Sequence, residues 1–121
     1  LSKWTPEGVI ITAHGSLDRL QPLQDGLCQV QDESSMLVAH VVDPQPGEFV
    51  IDCCSAPGGK TTHLAALMQD KGRILAGDIY EHKIDRIQEN ADRMAAIGTP
   101  VDCTISIGSS PTASAAAAEP T

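Results

Sequence analysis

The fold is decided by residues 49–62, which read Phe49-Val50-Ile51-Asp52-Cys53-Cys54-Ser55-Ala56-Pro57-Gly58-Gly59-Lys60-Thr61-Thr62. The run from Phe49 to Cys53 is apolar except for one acid and is too short for a helix, so it predicts a strand buried on both faces. A loop over Cys54–Gly59 separates this strand from a predicted helix over Lys60–Gln69, and Gly72 lies beyond the end of that helix. The stretch is therefore typical of a strand, a glycine-containing loop and a crossover helix.

Downstream, the same alternation is repeated. Residues 74–77 predict a second short buried strand that ends at Asp78, residues 81–97 predict an amphipathic helix, and residues 101–107 predict a third strand. Strands that alternate with helices over short connections predict right-handed crossovers and a parallel sheet. We therefore expect half of a doubly wound α/β sheet, a fold that binds ligands at the carboxyl ends of its strands.

Upstream, a further helix precedes the first strand. Asp32 or Ser34 can cap this helix and Pro44 stops it. Four apolar residues at helical spacing predict the stripe that it buries. That stripe consists of Leu37, Val38, Val41 and Val42.

These patterns divide the chain into three regions. Residues 1–30 contain a β-branched run, Val9–Ala13, and a turn at Asp25-Gly26, so they predict a loop and hairpin cap. Residues 31–107 make up the predicted α/β domain. Residues 108–121 are rich in Ser, Ala and Pro, and we expect them to be a disordered, low-complexity tail.

The charge balance limits the partners of this chain. Eight Lys and Arg against sixteen Asp and Glu give the 121 residues a formal charge of −8, which argues against a broad face for a nucleic-acid backbone. No apolar run approaches the roughly 20 residues of a bilayer span, which argues against a membrane protein. The chain starts at Leu1 rather than Met and shows no secretory leader, so we expect a fragment or a processed product.

The cysteines and histidines lack the spacing of a metal site. The four cysteines include no Cys-x-x-Cys pair, and no two of the four histidines stand at the short separations that zinc sites use. We therefore expect no bound metal. Reduced thiols predict an intracellular protein, cytoplasmic in the simplest interpretation, with the nucleus and organelles as alternatives.

The loop has the residues of an anion-binding site. Gly58 and Gly59 have no Cβ, so a ligand can approach the backbone closely, and Pro57 stiffens the entry to the loop. The start of the following helix offers unpaired N–H groups and a partial positive charge to an anionic group. Lys60 opposes the helix dipole there, which an anionic partner would explain. A solvated lysine is the alternative.

Four polar positions around the loop have predicted roles. Asp78 follows the second strand about 20 residues after the glycine pair, where an acid can accept hydrogen bonds from both hydroxyls of a ribose. A turn aspartate that caps the next helix is the alternative. Asp52 is expected to accept hydrogen bonds from loop amides, and Thr61 and Thr62 to satisfy amides at the helix start.

Two nucleotide-binding motifs fit the loop only in part. Gly59-Lys60-Thr61 matches the end of a phosphate-binding P-loop, but Cys54 stands where that motif needs its first glycine. The pattern Gly-x-Gly-x-x-Gly of dinucleotide-binding sites is absent. The hypothesis of a P-loop-like nucleotide hydrolase is therefore supported by Gly59-Lys60-Thr61 alone.

The motifs of this chain resemble those of the RsmB/Sun-type RNA cytosine-5 methyltransferases over roughly residues 25–98. The shared motifs are Gln31-Asp32-Glu33-Ser34-Ser35, Pro46-Gly47, Asp52-x-Cys54-Ser55-Ala56-Pro57-Gly58-Gly59-Lys60-Thr61-Thr62-His63-Leu64-Ala65, Gly72-Arg73, Ala76-x-Asp78 and Arg86-x-x-x-Asn90. The resemblance implies a partial Rossmann-like methyltransferase domain and an rRNA or tRNA substrate. It implies the cofactor S-adenosylmethionine, with Asp78 at the ribose. The residues implied at the methionine end are Cys54, Ser55, Ala56, Pro57, Gly58, Gly59 and Lys60.

The chain departs from the family where catalysis takes place. Members of the family attack cytosine with one cysteine and release the product with the help of a second. These cysteines belong to an Asp-Ala-Pro-Cys loop and a Thr-Cys-Ser loop on later strands, and neither loop is in this sequence. A family acid at the adenine side is missing near Ile107 or Gly108. Cys53, Cys54 and Cys103 do not match the catalytic positions, so we assign no catalytic residue. The leading hypothesis is the cofactor-binding half of a methyltransferase, inactive by itself, and the alternative is a non-catalytic binding or interaction module that retains the fold.

Overall fold

A computed structural model of the chain describes residues 1–12, 15–95 and 102–108. The predicted tail from residue 109 onward and the predicted end of the last helix beyond residue 95 lie outside these residues. The elements in chain order are a 3₁₀ turn at Leu17–Arg19, α1 (Gln21–Gln24), α2 (Glu33–Val42), β1 (Phe49–Asp52), α3 (Gly59–Leu67), β2 (Lys71–Gly77), a 3₁₀ turn at Glu81–Lys83, α4 (Ile84–Ala95) and β3 (Asp102–Gly108).

The three strands form one parallel sheet in the order β1-β2-β3. Phe49 is in register with Arg73, and Lys71 with Asp102. Because each strand pairs with the next one along the chain, right-handed crossovers place α3 and α4 on the same face of the sheet, where the two helices contact each other. The predicted partial doubly wound α/β sheet is confirmed, and the described residues cover one of its faces.

The other face of the sheet corrects one prediction. Phe49 and Ile51 are 54% and 59% exposed, so β1 is not buried on both faces. Their neighbour Val50, which points the opposite way, packs against the core. An apolar run therefore identified the strand, but the run does not determine how many faces of the sheet are covered.

The core lies between the sheet and its helices. Its buried members are Ala39, Leu64, Ala65, Met68 and Ile74. The predicted stripe of α2 is wrong, since all four of its residues are at least 38% exposed and Ala39 is the buried residue. The small side chain of Ala39 suits the close contact of α2 with α3.

The predicted N-terminal hairpin is wrong for the described residues. Residues 1–12 and 15–30 contain no strand, and a 3₁₀ turn and α1 stand there instead. Val9, Ile10 and Ile11 are exposed, since no second strand pairs with this run. The predicted turn at Asp25-Gly26 is confirmed, with Gly26 at a φ of 74° just after α1. No helix in the described parts of the chain is both long and apolar enough to cross a bilayer.

Two glycines near the pairing of β1 with β2 offer a matched test of this packing. Gly72 has a φ of 121°, and an added Cβ would lie 2.5 Å from the carbonyl oxygen of Glu48. Gly47 has a φ of 91° but faces open space. Both alanine variants carry left-handed strain of about 1–2 kcal/mol, but only Gly72→Ala also displaces backbone.

We expect Gly72→Ala to lower the free energy of unfolding by at least about 1 kcal/mol more than Gly47→Ala, measured by urea titration. Equal losses in the two variants would contradict the close approach of Gly72 to Glu48.

Candidate cofactor-binding site

The loop after β1 and the residue after β2 meet at one edge of the sheet. The amide of Ser55 donates to the carbonyl oxygen of Gly77 at 2.9 Å, and the amide of Ala56 donates to Oδ2 of Asp78 at 3.3 Å. The adjacent parallel pairing of β1 with β2 brings these groups together. The structure therefore places Asp78 against the loop, as the sequence predicted, although the two lie more than twenty residues apart.

Asp52 fixes the base of the loop. Its Oδ1 accepts a hydrogen bond from the amide of Cys54 at 3.3 Å, and its Oδ2 accepts one from Oγ1 of Thr61 at 2.7 Å. Oγ of Ser55 donates to the carbonyl oxygen of Asp52 at 2.7 Å. The predicted role of Asp52 is confirmed. Because Ser55 is buried and its hydroxyl is used inside the loop, this side chain shapes the turn.

The start of α3 keeps its amides free. Gly58 is the N-cap at a φ of 107°, with no side chain bonded to the helix start. Within the described residues, the amides of Gly59, Lys60 and Thr61 donate no hydrogen bond. Lys60 is half-buried and makes no ion pair with any described residue. The three amides and the ammonium group are therefore available to an anionic ligand.

The predicted roles of the two threonines are wrong. The hydroxyl of Thr61 donates to the Asp52 carboxylate, and the hydroxyl of Thr62 lies within 3.0–3.2 Å of the carbonyl oxygens of Gly58 and Gly59 and of Oε1 of Gln29. Both hydroxyls bond to oxygen acceptors, so neither satisfies an amide of the helix start. The sequence placed the threonines correctly but did not show which groups they reach.

Helix α4 supports the loop from outside, which the sequence did not predict. Nδ2 of Asn90 donates to the carbonyl oxygen of Pro57 at 2.7 Å. Nη2 of Arg93 donates to Oδ1 of Asn90 at 3.0 Å, and Nη1 of Arg93 donates to the carbonyl oxygens of Leu23 and Cys28. One guanidinium therefore ties the N-terminal region to the residue that holds the loop. The only sequence feature that pointed to Asn90 was the motif Arg86-x-x-x-Asn90.

The close approach of α4 explains the glycine at position 58. A Cβ on Gly58 would lie 3.3 Å from Cα of Ile87, a residue that is fully buried. Nε2 of Gln29 also donates to the carbonyl oxygen of Gly59 at 3.0 Å. The backbone of the loop is therefore held on both sides by groups that are distant in sequence.

A cavity of about 370 Å³ opens beside the loop. Its lining residues are Ala56, Pro57, His82, Lys83 and Arg86. Hydrogen bonding from the backbone N–H of Tyr80 lowers the pKa of Asp78 below its ordinary value of 3.8. The N–H of Ala56 and the charges of Lys83 and His82 lower it further, against the opposing effect of burial. Asp78 is therefore ionised at neutral pH, and its carboxylate accepts hydrogen bonds from the amides of Ala56 and Tyr80.

The predicted site residues differ in what they present. Ser55 and Gly58 are buried, whereas Cys54 and Pro57 are exposed. The other four residues are half-buried, namely Ala56, Gly59, Lys60 and Asp78. Cys28, Cys53 and Cys54 are free, exposed thiols. Because Cys54 belongs to the loop and its amide bonds to Asp52, it contributes backbone to the site. All eight residues lie at one edge of the sheet.

The chain is similar in sequence to known RNA methyltransferases. A probable ribosomal RNA small subunit methyltransferase B of Bacillus subtilis is 43% identical over 88 residues, which are 73% of this chain and 20% of that protein. The tRNA (cytosine(72)-C(5))-methyltransferase NSUN6 of Mus musculus is 56% identical over 62 residues, which are 51% of this chain and 13% of that protein. The chain thus spans a fifth or less of the length of these curated relatives.

A solved structure shares the fold. The crystal structure of NSun6 from Pyrococcus horikoshii with SFG matches with a TM-score of 0.69 and 31% identity, over 80% of this chain and 24% of that chain. The family model described as 16S rRNA methyltransferase RsmB/F matches residues 39–106, which are more than half of the sequence. On this match, together with the shared fold, the chain belongs to the RsmB/F family of methyltransferases.

Proposed function

We propose that this chain carries the S-adenosylmethionine-binding half of an RNA cytosine-5 methyltransferase that acts on rRNA or tRNA. The observation that carries the proposal is the hydrogen bond from the Ala56 amide to Asp78, beside a helix start with free amides. The names of the relatives support rRNA and tRNA as substrates. A related structure was solved with SFG, an analogue of the cofactor.

The residues present fit the two polar ends of this cofactor. The free amides of Gly59, Lys60 and Thr61, with the Lys60 ammonium group, suit the carboxylate of its methionine end. The ionised Asp78 suits the two hydroxyls of its ribose. When bound, the cofactor supplies the methyl group. The loop from Cys54 to Lys60 orients the cofactor.

Transfer of the methyl group requires more than these residues. The sequence contains no Asp-Ala-Pro-Cys or Thr-Cys-Ser loop, so we propose that the 121 residues bind the cofactor without turnover. The charge of −8 disfavours contact with an RNA backbone. We therefore assign RNA contact to regions that the relatives have beyond this match, and place the activity inside the cell, where rRNA and tRNA are found.

A second candidate is a non-catalytic module that binds the same cofactor. The formal charge of −8, which disfavours contact with an RNA backbone, favours it. The two candidates differ in one experiment, a methyl-transfer assay on unmodified rRNA and tRNA with the chain extended through the later strands. Methylation of cytosine would support the enzyme, and cofactor binding without methylation would support the module. Membership of a methyltransferase family removes the basis for a nucleotide hydrolase.

The Asp78 assignment predicts a loss of cofactor affinity in Asp78→Ala. The variant removes a charged acceptor worth about 1.5–3 kcal/mol, so the Kd for S-adenosylmethionine should rise about 10- to 100-fold in calorimetric titration. Asp85→Ala is the matched control, because Asp85 is exposed in the first turn of α4. An unchanged Kd in Asp78→Ala, or an equal rise in Asp85→Ala, would contradict the assignment.

The Lys60 assignment is tested by changing protein and ligand together. Lys60→Met should weaken S-adenosylmethionine by about 5- to 100-fold, because a charge-assisted contact with the carboxylate is lost. Methylthioadenosine lacks the amino-acid end, so its Kd should be the same in Lys60→Met and in the unchanged chain. Lys71→Met, at an exposed residue of β2, controls for loss of charge. Equal weakening of both ligands by Lys60→Met would refute the contact.

A further inference from the structure

A second cluster of polar side chains lies away from the loop and joins three parts of the chain. Oε1 of Glu7, in the N-terminal segment, lies 2.6 Å from Nε2 of His40 on α2 and 2.6 Å from Nε2 of His63 on α3. The two imidazole rings are edge to face, with centroids 5.5 Å apart. One atom from each of the three side chains lies within 4.8 Å of the others. The fold thus assembles histidines that are far apart in sequence.

His63 is the unusual member of this cluster. Its side chain is only 8% exposed, and neither ring nitrogen makes a hydrogen bond of acceptable geometry with the described residues. Its Nε2 is close to Glu7 but out of line with it. Because a buried polar atom without a partner is costly, such an atom points to a missing ligand or proton partner. Nδ1 or Nε2 of a neutral imidazole is also a common ligand of transition metals.

Glu7 has the charge that a metal ligand needs. Burial raises the pKa of its carboxyl, but a backbone hydrogen bond and the two imidazoles more than offset that effect and hold the pKa below the ordinary value of 4.5. The carboxylate is therefore ionised at neutral pH. It is also 40% exposed, and His40 is 31% exposed, so the cluster is open to solvent at these two side chains.

We propose that Glu7, His40 and His63 form a metal site that takes Zn²⁺. Two imidazole nitrogens and one carboxylate oxygen are a donor set that suits this ion, with water as the fourth ligand on the exposed side. Metal–ligand distances of about 2.1 Å place two tetrahedral ligand atoms roughly 3.4 Å apart. The 2.6 Å separations in the structure are shorter than this, so binding of an ion requires the Glu7 side chain, which is 40% exposed, to move away from the histidines. Nε2 of His63, which makes no well-aligned hydrogen bond to Glu7, would then bind the ion.

The proposed site would have a structural role, because a bound ion would cross-link separate segments of the chain. It would join the N-terminal segment and α2 to α3, the helix whose first residues carry Gly59 and Lys60. An ion that binds only the folded chain stabilises it by mass action. This inference is independent of the proposed cofactor, since none of its three residues belongs to the loop.

The test is a titration of the complete 121-residue chain with ZnCl₂. Calorimetry measures binding of the ion, and thermal unfolding measures the Tm at each Zn²⁺ concentration. We expect one ion per chain and a Tm that rises with Zn²⁺ concentration. His40→Ala and Glu7→Gln should each raise the Kd for Zn²⁺ by at least about 10-fold. His82→Ala, at an exposed histidine outside the cluster, should leave it unchanged. His63 stays intact because it is part of the packed interior.

The exposed thiols provide the second control, because Cys53 and Cys54 can bind zinc without any such cluster. A Cys53→Ser/Cys54→Ser variant should bind Zn²⁺ as the unchanged chain does. Loss of binding in this variant, together with full binding in His40→Ala, would overturn the proposal. So would an absence of Zn²⁺ binding to the unchanged chain, and so would equal effects of His40→Ala and His82→Ala.

Discussion

The pairing of β1 with β2 is the constraint on which the candidate cofactor site depends. Parallel pairing brings the carboxyl ends of both strands to one edge, and the next residues of the chain bond across it, Ser55 to Gly77 and Ala56 to Asp78. A helix start with free amides and an ionised acceptor are thus brought to the same edge of the sheet. A shift of the register would separate them, and neither group alone would distinguish a cofactor from any other polar ligand.

In the loop, three backbone carbonyl oxygens are hydrogen-bonded to side chains, but the backbone amides at the start of α3 are free in the part of the chain that the structure describes. The carbonyl oxygens of Pro57, Gly58 and Gly59 accept hydrogen bonds from the side chains of Asn90, Thr62 and Gln29, while the amides at the start of α3 remain free within the described residues. Satisfied acceptors and free donors make the inner surface of the loop positive. Residues from α4 and from the N-terminal region therefore hold the carbonyl groups of the loop, and the free amides are left available to an anionic ligand.

The sequence predicted those features that depend on residues close together in the chain, and it missed those that depend on contacts between distant residues. The strands, the loop and the position of Asp78 follow from runs and spacings within 30 residues, and they are confirmed in the structure. The stripe of α2 and the N-terminal hairpin were wrong because burial and strand pairing depend on what lies opposite, which periodicity does not reveal. Arg93 reaches carbonyl groups 65 and 70 residues away, and α2 and α3 bring His40 to His63. These contacts between distant residues cannot be predicted from the spacing of residues in the sequence.

The most direct test of the site is an NMR titration of the ¹⁵N-labelled chain with S-adenosylmethionine. The free amides of Gly59, Lys60 and Thr61, and the Ala56 amide that bonds to Asp78, should show the largest shifts, saturating together with one ligand per chain. Saturable shifts confined to residues away from this edge of the sheet, or no saturable shifts at all, would contradict the placement of the cofactor there.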